Sequence, residues 1–337
     1  MDVADGPPRV MRKDVAARAG VSEATVSYAM SGGPVSATTA ARVRAIAAEM
    51  GYRPNASARA LKLGHSGILG IVVDDRRNPF FSEMANAVDV AARRRGLAVI
   101  AAEDLEDADA ARRQTEWLAS RNVEGILITT QLTRKLVDEL DDLAVPWVAL
   151  NQIGPIAGAR AITVDLAAGA ELVVAHLASH RRRRIAFFGD TSGRDGRHLG
   201  WQRALSATAH AGPAVQVGFD LEAGYRAALE VFGGAPPPDA LFASSDLMAV
   251  AAMRGIRELG LRVPEDVAVA GFDGTWLSEY SSPTLTAYRQ PIREMAEEAV
   301  RLVTAPAEQR PIGYLQFAGE LLLRQSCGCG ANPTQRE

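Results

Sequence analysis

The sequence predicts a small all-helical module at the N-terminus, followed by a larger α/β body of two similar lobes. Three observations lead there. Apolar and small residues recur at the 3.6-residue helical period through residues 13–30 and again through 36–50. From residue 66 onward, short continuously apolar runs alternate with amphipathic stretches, the pattern of a parallel sheet covered on both faces. Charge is also divided unevenly. Residues 1–64 carry nine Lys and Arg against five acids, a net +4, so the rest of the chain is −7 within a total of −3. A basic module on an acidic body suits a phosphate-binding head. At 337 residues and 47% hydrophobic content, the chain has room for two or three domains with buried cores.

The first helix buries Val15, Ala16 and Ala19, and the period breaks once, at Gly20, Val21 and Ser22, before Val26 and Ala29 resume it. Glycine accepts the left-handed backbone of a helix end, and Ser22 offers an oxygen to the orphan amides of the next helix. Two short helices thus meet at a tight corner, with small alanines permitting close approach: a helix-turn-helix arrangement. The outer face of the second helix carries Glu23, Ala24, Thr25, Ser27 and Tyr28, short or hydrogen-bonding groups able to enter a DNA major groove. A plain two-helix packing unit is the competing reading. Ser36 caps a third helix running to about residue 50, where Val43, Ile46, Ala47 and Met50 cover the first two helices and Gly51 ends it. Residues 52–64 then supply a candidate Asn cap, good helix formers and a glycine stop. So short a helix forms only against a partner surface.

In the body, strands are expected at 68–73, 97–101, 125–129 and 147–150, with helices at 81–96, 110–121 and 134–143 between them. A second series begins near residue 164, with helices at 168–179, 200–209, 224–232 and 247–260 and strands at 185–189, 240–243 and 267–271. Trp147 and Trp201 fall in periodic apolar contexts and read as core. Trp276 suits a cleft mouth or an interface, and the arginine run at 181–184 a solvated loop. Cys327 and Cys329, without a partner set of histidines or cysteines nearby in sequence, read as a reduced tail and not as metal ligands. The first ten residues are acidic and contain Pro and Gly, unlike a secretory signal, and no apolar run approaches ~18 residues, so a cytoplasmic protein is expected.

Catalytic signatures are missing where an enzyme would carry them. The residues after the first strand are Asp74, Asp75, Arg76, Arg77 and Asn78, not a G-x-G-x-x-G turn, and neither a Walker A sequence, H-E-x-x-H nor G-x-S-x-G occurs. No enzyme activity, cofactor or metal is therefore expected. The alternative class is an α/β solute-binding receptor or enzyme without a DNA-binding role.

Three runs in order, KDVAARAGVSEATVSYAMSG, VSATTAARV and GYRPNASARALKLG, closely resemble the DNA-binding headpiece and hinge of the lac/gal repressor family of bacterial transcription regulators. The resemblance implies that Glu23, Ala24 and Tyr28 read bases, and that Ser22, Thr25, Ser27, Ser36 and Thr39 touch phosphates. Tyr52 joins the DNA-binding set. Asn55, Ala58 and Leu61 would lie on a hinge-helix face entering the minor groove, Leu61 as the wedge between base pairs. Met11 stands where the family usually has a capping, phosphate-contacting threonine. Tyr28 stands where many members have arginine, so the operator should differ at that base.

The body resembles the family's type I periplasmic-binding-protein-like core as far as about Cys327. The motifs Asn78-Pro79-Phe80-Phe81, Arg197-His198-Leu199-Gly200-Trp201, Ser245-Asp246-Leu247-Met248-Ala249 and Ser282-Pro283-Thr284-Leu285-Thr286 stand in family order. The implied cleft lining is Asn78, Phe80, Phe81, Asn151, Gln152, Arg197, Phe219, Ser245 and Asp273. Phe80 and Phe81 also suit simple core positions, and Arg197 with Asp273 an ion pair between lobes. Asn151 and Gln152 replace a common Asp-Arg pair, and Ser245 a common asparagine.

The expected domains are a headpiece at 1–52, a hinge at 53–65, an effector-binding and dimerisation core at 66–327 and a short tail at 328–337. Within the core, lobe 1 would span about 66–163 and 289–318, and lobe 2 about 164–288 and 319–327. The expected function is a homodimeric repressor that binds a palindromic DNA operator, its affinity changed by a small-molecule effector, by default a sugar. The short tail lacks room for a tetramerising leucine heptad helix.

Overall fold

The computed structural model describes residues 10–53, 65–103, 109–208 and 210–330. It divides into two compact units, Met1–Ser66 and Gly67–Glu337. In the first, α1 (Arg12–Ala19), α2 (Glu23–Ser31) and α3 (Ala37–Glu49) close on a core of Val15, Ala16, Ala19, Val26, Ala29, Ala40, Val43 and Ala47. Gly20 adopts φ 64° at the end of α1, the left-handed conformation a glycine tolerates without strain. Ser22 then caps α2 by accepting from Thr25 N–H at 3.1 Å, and Ser36 caps α3 by accepting from Thr39 N–H at 3.2 Å. Arg44 Nε donates to the Ala29 carbonyl at 2.9 Å, tying α3 to the last turn of α2. Met11 occupies the N-cap of α1 without a side-chain capping bond. Instead the Asp14 carboxylate accepts from the Met11 N–H at 2.8 Å, half of a capping box. The expected hinge helix, with Asn55, Ala58 and Leu61, lies outside the described residues.

The second unit holds two six-stranded sheets. One contains β1 (Ile68–Val73), β2 (Ala98–Glu103), β3 (Ile126–Ile128), β4 (Trp147–Leu150), β5 (Arg160–Val164) and β11 (Gly313–Phe317), in the spatial order β11-β5-β4-β3-β1-β2. The other contains β6 (Ile185–Gly189), β7 (Ala214–Gln216), β8 (Ala240–Ala243), β9 (Ala268–Asp273), β10 (Thr286–Arg289) and β12 (Glu320–Leu322), in the order β12-β10-β9-β8-β6-β7. Among the described residues every strand pairing is parallel except β10 with β12. The chain passes from one sheet to the other after β5, after β10 and after β11.

Parallel strands are joined by crossover helices that bury both faces of the sheet. On the first lobe these are α4 (Pro79–Arg93), α5 (Ala110–Ala119), α6 (Arg134–Asp142) and the late α12 (Ile292–Val303), which returns to pack on α4. The second lobe carries α7 (Leu166–Ser179), α8 (Gly196–Thr208), α9 (Leu221–Gly233) and α10 (Asp246–Glu258), plus the short α11 (Trp276–Tyr280). Helices α7 and α8 approach so closely that a Cβ at Gly200 would strike the Ala167 carbonyl oxygen and crowd the Ala170 methyl. Trp201 is buried beside that contact and donates from Nε1 to the Ile185 carbonyl at 3.0 Å.

Several expectations need correction. Helix α4 starts at Pro79, with Asn78 accepting from Phe80 N–H at 3.1 Å as its cap and Pro79 supplying a favourable first turn. The arginine run is a mostly exposed loop, as expected, but it is tied down by its backbone and by one side chain. Arg182 donates to the carbonyls of Pro264, Glu265 and Asp266, and the Arg183 and Arg184 amides bind the Asp239 carboxylate. Nor do Cys327 and Cys329 lack histidine neighbours, because α7 brings His176 and His180 to them.

The α7–α8 contact generates a stability prediction. Gly200→Val overpacks it and lowers the urea midpoint of the core, costing about 1–3 kcal/mol or more. An unchanged midpoint would mean that the helices separate freely.

Candidate DNA-reading face and ligand cleft

In the headpiece, burial of Val26 and Ala29 turns the opposite side of α2 outward. Ser22, Glu23 and Ala24 are exposed, Thr25 and Ser27 are partly so, and Tyr28 remains 39% exposed. The Tyr28 ring lies against the turn after α2, since a Cβ at Gly33 would clash with its edge. The N-termini of α2 and α3 each combine the positive end of a helix with two hydroxyls: Ser22 with Thr25 at 2.9 Å, and Ser36 with Thr39 at 2.8 Å. Free amides plus hydroxyl donors are the ordinary makings of phosphate contacts. Glu23 pairs with Arg12 at 2.9 Å while both stay about half exposed, so the ion pair is weak and easily exchanged. Tyr52 is half-buried against the headpiece core.

In the larger unit, parallel pairing collects the C-terminal strand ends of each sheet on one edge. On the first lobe that edge bears Asn78 after β1, the 129–132 segment after β3, and Asn151 and Gln152 after β4. On the second it bears Asp195 and Arg197 after β6, Ser244 to Asp246 after β8, Asp273 at the end of β9 and Gln290 after β10. The lobes meet where the Glu83 carboxylate of α4 accepts the Trp276 N–H of α11 at 2.9 Å. Burial raises the pKa of Glu83 against the opposing pull of that bond. The Trp276 side chain itself is 55% exposed.

Arg197 is the most heavily supported group. It is 4% exposed, fork-bonded to Asp195 at 2.9–3.1 Å, and donates from Nη1 to the Ser244 carbonyl at 2.7 Å. Its guanidinium lies 5.2 Å from the Phe219 ring centre and 5.6 Å from that of Phe272, and Phe219 is itself 38% exposed. These bonds leave N–H groups on both terminal nitrogens for a ligand. The expected pairing of Arg197 with Asp273 between lobes is thus corrected: both residues belong to the second lobe, and the partner carboxylate is Asp195.

Asp273, held at φ 109°, accepts from Gln290 Nε2 at 2.8 Å. Burial, with the charges of Glu83 and Asp195, outweighs Arg197 and Gln290 and pushes its pKa up to about 7. Asp246 is raised well above the carboxylate range by burial and then by the charge of Asp273. Its Oδ2 accepts from Thr275 N–H at 2.6 Å and from the Thr275 hydroxyl at 2.9 Å. Asp246 Oδ1, Ser244 Oγ and Gln290 Oε1 are buried without a hydrogen-bond partner among the described residues.

Other expected lining residues do different work. Phe80 is only 1% exposed and meets Phe81 edge-on at 5.3 Å within the hydrophobic core, so Phe80 is a packing residue. Gln152 spends both amide hydrogens on the Thr130 and Leu150 carbonyls and accepts from Leu132 N–H at 2.8 Å, fixing the loop after β3 from inside. Asn151 takes φ 57°, which asparagine tolerates, and sits at the rim of that loop. Ser245 caps α10 by accepting from Met248 N–H at 3.2 Å. Sequence reasoning did not select Asp195, Ser244, Asp246 or Gln290. Asp246 lay in a quoted motif, but nothing local signalled its burial.

The raised carboxylate gives a pH prediction. Asp273 keeps its proton in the folded state up to about pH 7, whereas the unfolded chain loses it near the ordinary aspartate value of 3.8. Its contribution therefore makes stability fall as pH rises across that window. Asp273→Asn removes this component, so urea unfolding of the variant loses less stability between those pH values than the parent; equal slopes would contradict the assignment.

Residues 12–55 match the model of bacterial regulatory proteins of the lacI family, and residues 174–327 that of a periplasmic binding protein-like domain. The ribose operon repressor of Halalkalibacterium halodurans is 29% identical over 95% of this chain and 98% of its own. The HTH-type transcriptional repressor PurR of Yersinia enterocolitica is 31% identical over 86% and 88%. Among solved structures, the lac repressor dimer bound to operator and an anti-inducer aligns with TM-score 0.84 at 25% identity, covering 95% of this chain and 99% of that one. The complex of the transcriptional regulator CelR with cellobiose aligns with TM-score 0.70 at 30% identity, covering 94% and 100%.

Proposed function

Because this chain belongs to the lacI family of bacterial regulatory proteins and is a DNA-binding transcriptional regulator, we propose that it represses transcription as a homodimer on a palindromic operator and that a small polar effector in the cleft sets its DNA affinity. The observation that carries the DNA half is the outward face of α2, flanked by two hydroxyl-bearing helix N-termini. Ser22, Thr25, Ser27, Ser36 and Thr39 position the backbone, and Ala24 and Tyr28 meet base edges. Glu23 joins them once Arg12 turns to a phosphate. Two such heads on a twofold axis read two half-sites and double the phosphate contacts. Tyr52 and the hinge residues Asn55, Ala58 and Leu61 complete the proposed interface, Leu61 as a wedge.

The effector half rests on the orphaned polar groups at the strand ends. Arg197, Asp273, Asp246 and Gln290 offer donors and acceptors, and Phe219 an aromatic face, a mixture suited to a neutral polyhydroxyl ligand such as a sugar. The CelR structure holds a ligand of that kind, cellobiose, and the lac repressor structure holds an anti-inducer. Asn78, Phe81, Asn151 and Ser245 are proposed to shape the cleft, with Phe80 and Gln152 acting behind it. The chain is proposed to act in the cytoplasm and to catalyse no reaction; among the described residues no helix is long and apolar enough to cross a membrane.

Selection of genomic fragments on the purified protein, at near-physiological salt to suppress non-specific phosphate binding, tests the proposal. Enrichment of a palindrome with closely spaced half-sites supports it, and the absence of any enriched motif with or without cell metabolites opposes it. Tyr28→Ala relaxes selection at one half-site position, worth about 1–3 kcal/mol of discrimination, while an unchanged motif would remove Tyr28 from base reading.

A further inference from the structure

Helix α7 ends in a His-x-x-x-His pair, His176 and His180, which the 3.6-residue period sets on one face a turn apart. Their rings meet edge-on with centroids 4.8 Å apart. Far along the chain, the 3-10 turn Gln325–Cys327 delivers Cys327 and Cys329 to the same spot. His176 Nε2 is 3.2 Å from Cys327 Sγ and 3.7 Å from Cys329 Sγ, and His180 Nε2 is 3.3 Å from Cys329 Sγ. All four ligand atoms lie within 4.8 Å of one another. Zinc at its usual ~2.3 Å from sulfur and ~2.0–2.1 Å from nitrogen separates tetrahedral ligands by about 3.3–3.8 Å, close to the three sulfur–nitrogen separations of 3.2, 3.7 and 3.3 Å.

We propose that His176, His180, Cys327 and Cys329 form a closed tetrahedral Cys2His2 site for a single zinc ion.

The surroundings match a built site. Cys327 is fully buried; its sulfur accepts from the Thr286 hydroxyl at 3.0 Å and from the Cys329 N–H at 3.5 Å, and as a thiol it donates to the Arg324 carbonyl at 3.3 Å, a bond that metal binding would replace. Burial would raise the Cys327 thiol, but hydrogen-bond contacts with His176, Thr286 and Cys329 hold it at about 7. Burial and the neighbouring sulfur push Cys329 up to about 11, a repulsion that a divalent cation between the two sulfurs reverses. His180 is lowered by burial, His176 and Arg182, which keeps the imidazole in its neutral ligand form. Soft thiolates mixed with imidazoles in tetrahedral array select zinc over hard cations. Both cysteines are free thiols.

Position indicates the role. Ser326, beside Cys327, accepts from Thr286 N–H at 2.9 Å and donates to the Val269 carbonyl at 2.6 Å. Those groups lie at the starts of β9 and β10, the edge opposite the cleft. The ion would staple the chain after its last passage between lobes onto the first helix of the second lobe, stabilising the fold by binding only the folded state. With all four positions filled by protein it leaves no place for a substrate.

The test uses the full chain with zinc as the only added metal, gel-filtered before elemental analysis, and cobalt substitution as the spectroscopic probe. About one zinc per chain, thiolate-to-cobalt charge-transfer bands with tetrahedral visible bands, and a chelator-induced drop in melting temperature support the site. Cys329→Ser and, independently, His180→Ala, both partly exposed positions, lose most of the zinc while circular dichroism and DNA binding show an intact fold. A parent protein without bound zinc or cobalt–thiolate bands, a Cys327–Cys329 disulfide in its place under reducing conditions, or full zinc retention in a folded variant overturns the proposal.

Discussion

A parallel sheet forces all its strand C-termini onto one edge, and the organisation of the larger unit follows from that constraint. Within β3, β6 and β8 every residue is a buried Ile, Leu, Ala, Phe or Gly, leaving no polar side chain there to satisfy. At the edge the backbone leaves the ladder, and Asn78, Asn151, Asp195, Arg197, Ser244, Asp246 and Asp273 are buried there instead. Burying an arginine costs several kcal/mol unless it is paired with good geometry. The Asp195 fork and the Ser244 carbonyl supply that pairing from the second lobe alone, so Arg197 keeps its orientation when the lobes move. Three passages of chain join the sheets, which makes a change in lobe angle the natural response to a ligand held between the facing edges.

Much of this was legible in the amino-acid sequence, because short helices and buried strands announce themselves by period. The corner at Gly20 and Ser22, the caps at Ser22 and Ser36, and the strands at β1, β4, β6 and β8 rest on local chemistry, which neighbours in the sequence determine. What escaped notice depends on distant partners. Strands β7, β11 and β12 are short and partly exposed, so they carry no continuous apolar run; they are strands because β6, β5 and β10 offer an edge. The orphaned Gln290 and Asp246 look ordinary in sequence and become unusual only when burial removes water. Phe80 and Gln152 likewise take their surroundings from distant parts of the chain. Both occupy motif positions associated with a cleft, yet one is sealed in the core and the other braces a loop. Cys327 and Cys329 have no histidine near them in the sequence, and the fold supplies two from a helix some 150 positions earlier, as the His176–Cys327 separation of 151 shows.

The two special sites of the second lobe lie at opposite ends of the same strands. Asp273 terminates β9 at the cleft, whereas the Val269 carbonyl near the start of β9 anchors the turn that carries Cys327. A staple at the far edge rigidifies the strand on which the ligand groups are mounted, and it does so without touching the cleft. Division of labour of this kind lets one edge remain adaptable while the other is fixed.

The central claim is that cleft occupancy and DNA binding are coupled, and coupling is reciprocal by thermodynamic necessity. The most direct test is to titrate a panel of neutral sugars into the free protein and into its operator complex by calorimetry. The account predicts at least one sugar whose affinity differs between the two by about 5–150-fold, a difference that disappears in Phe219→Ala together with most of the binding. A sugar that binds through Phe219 with equal affinity to both forms would contradict it.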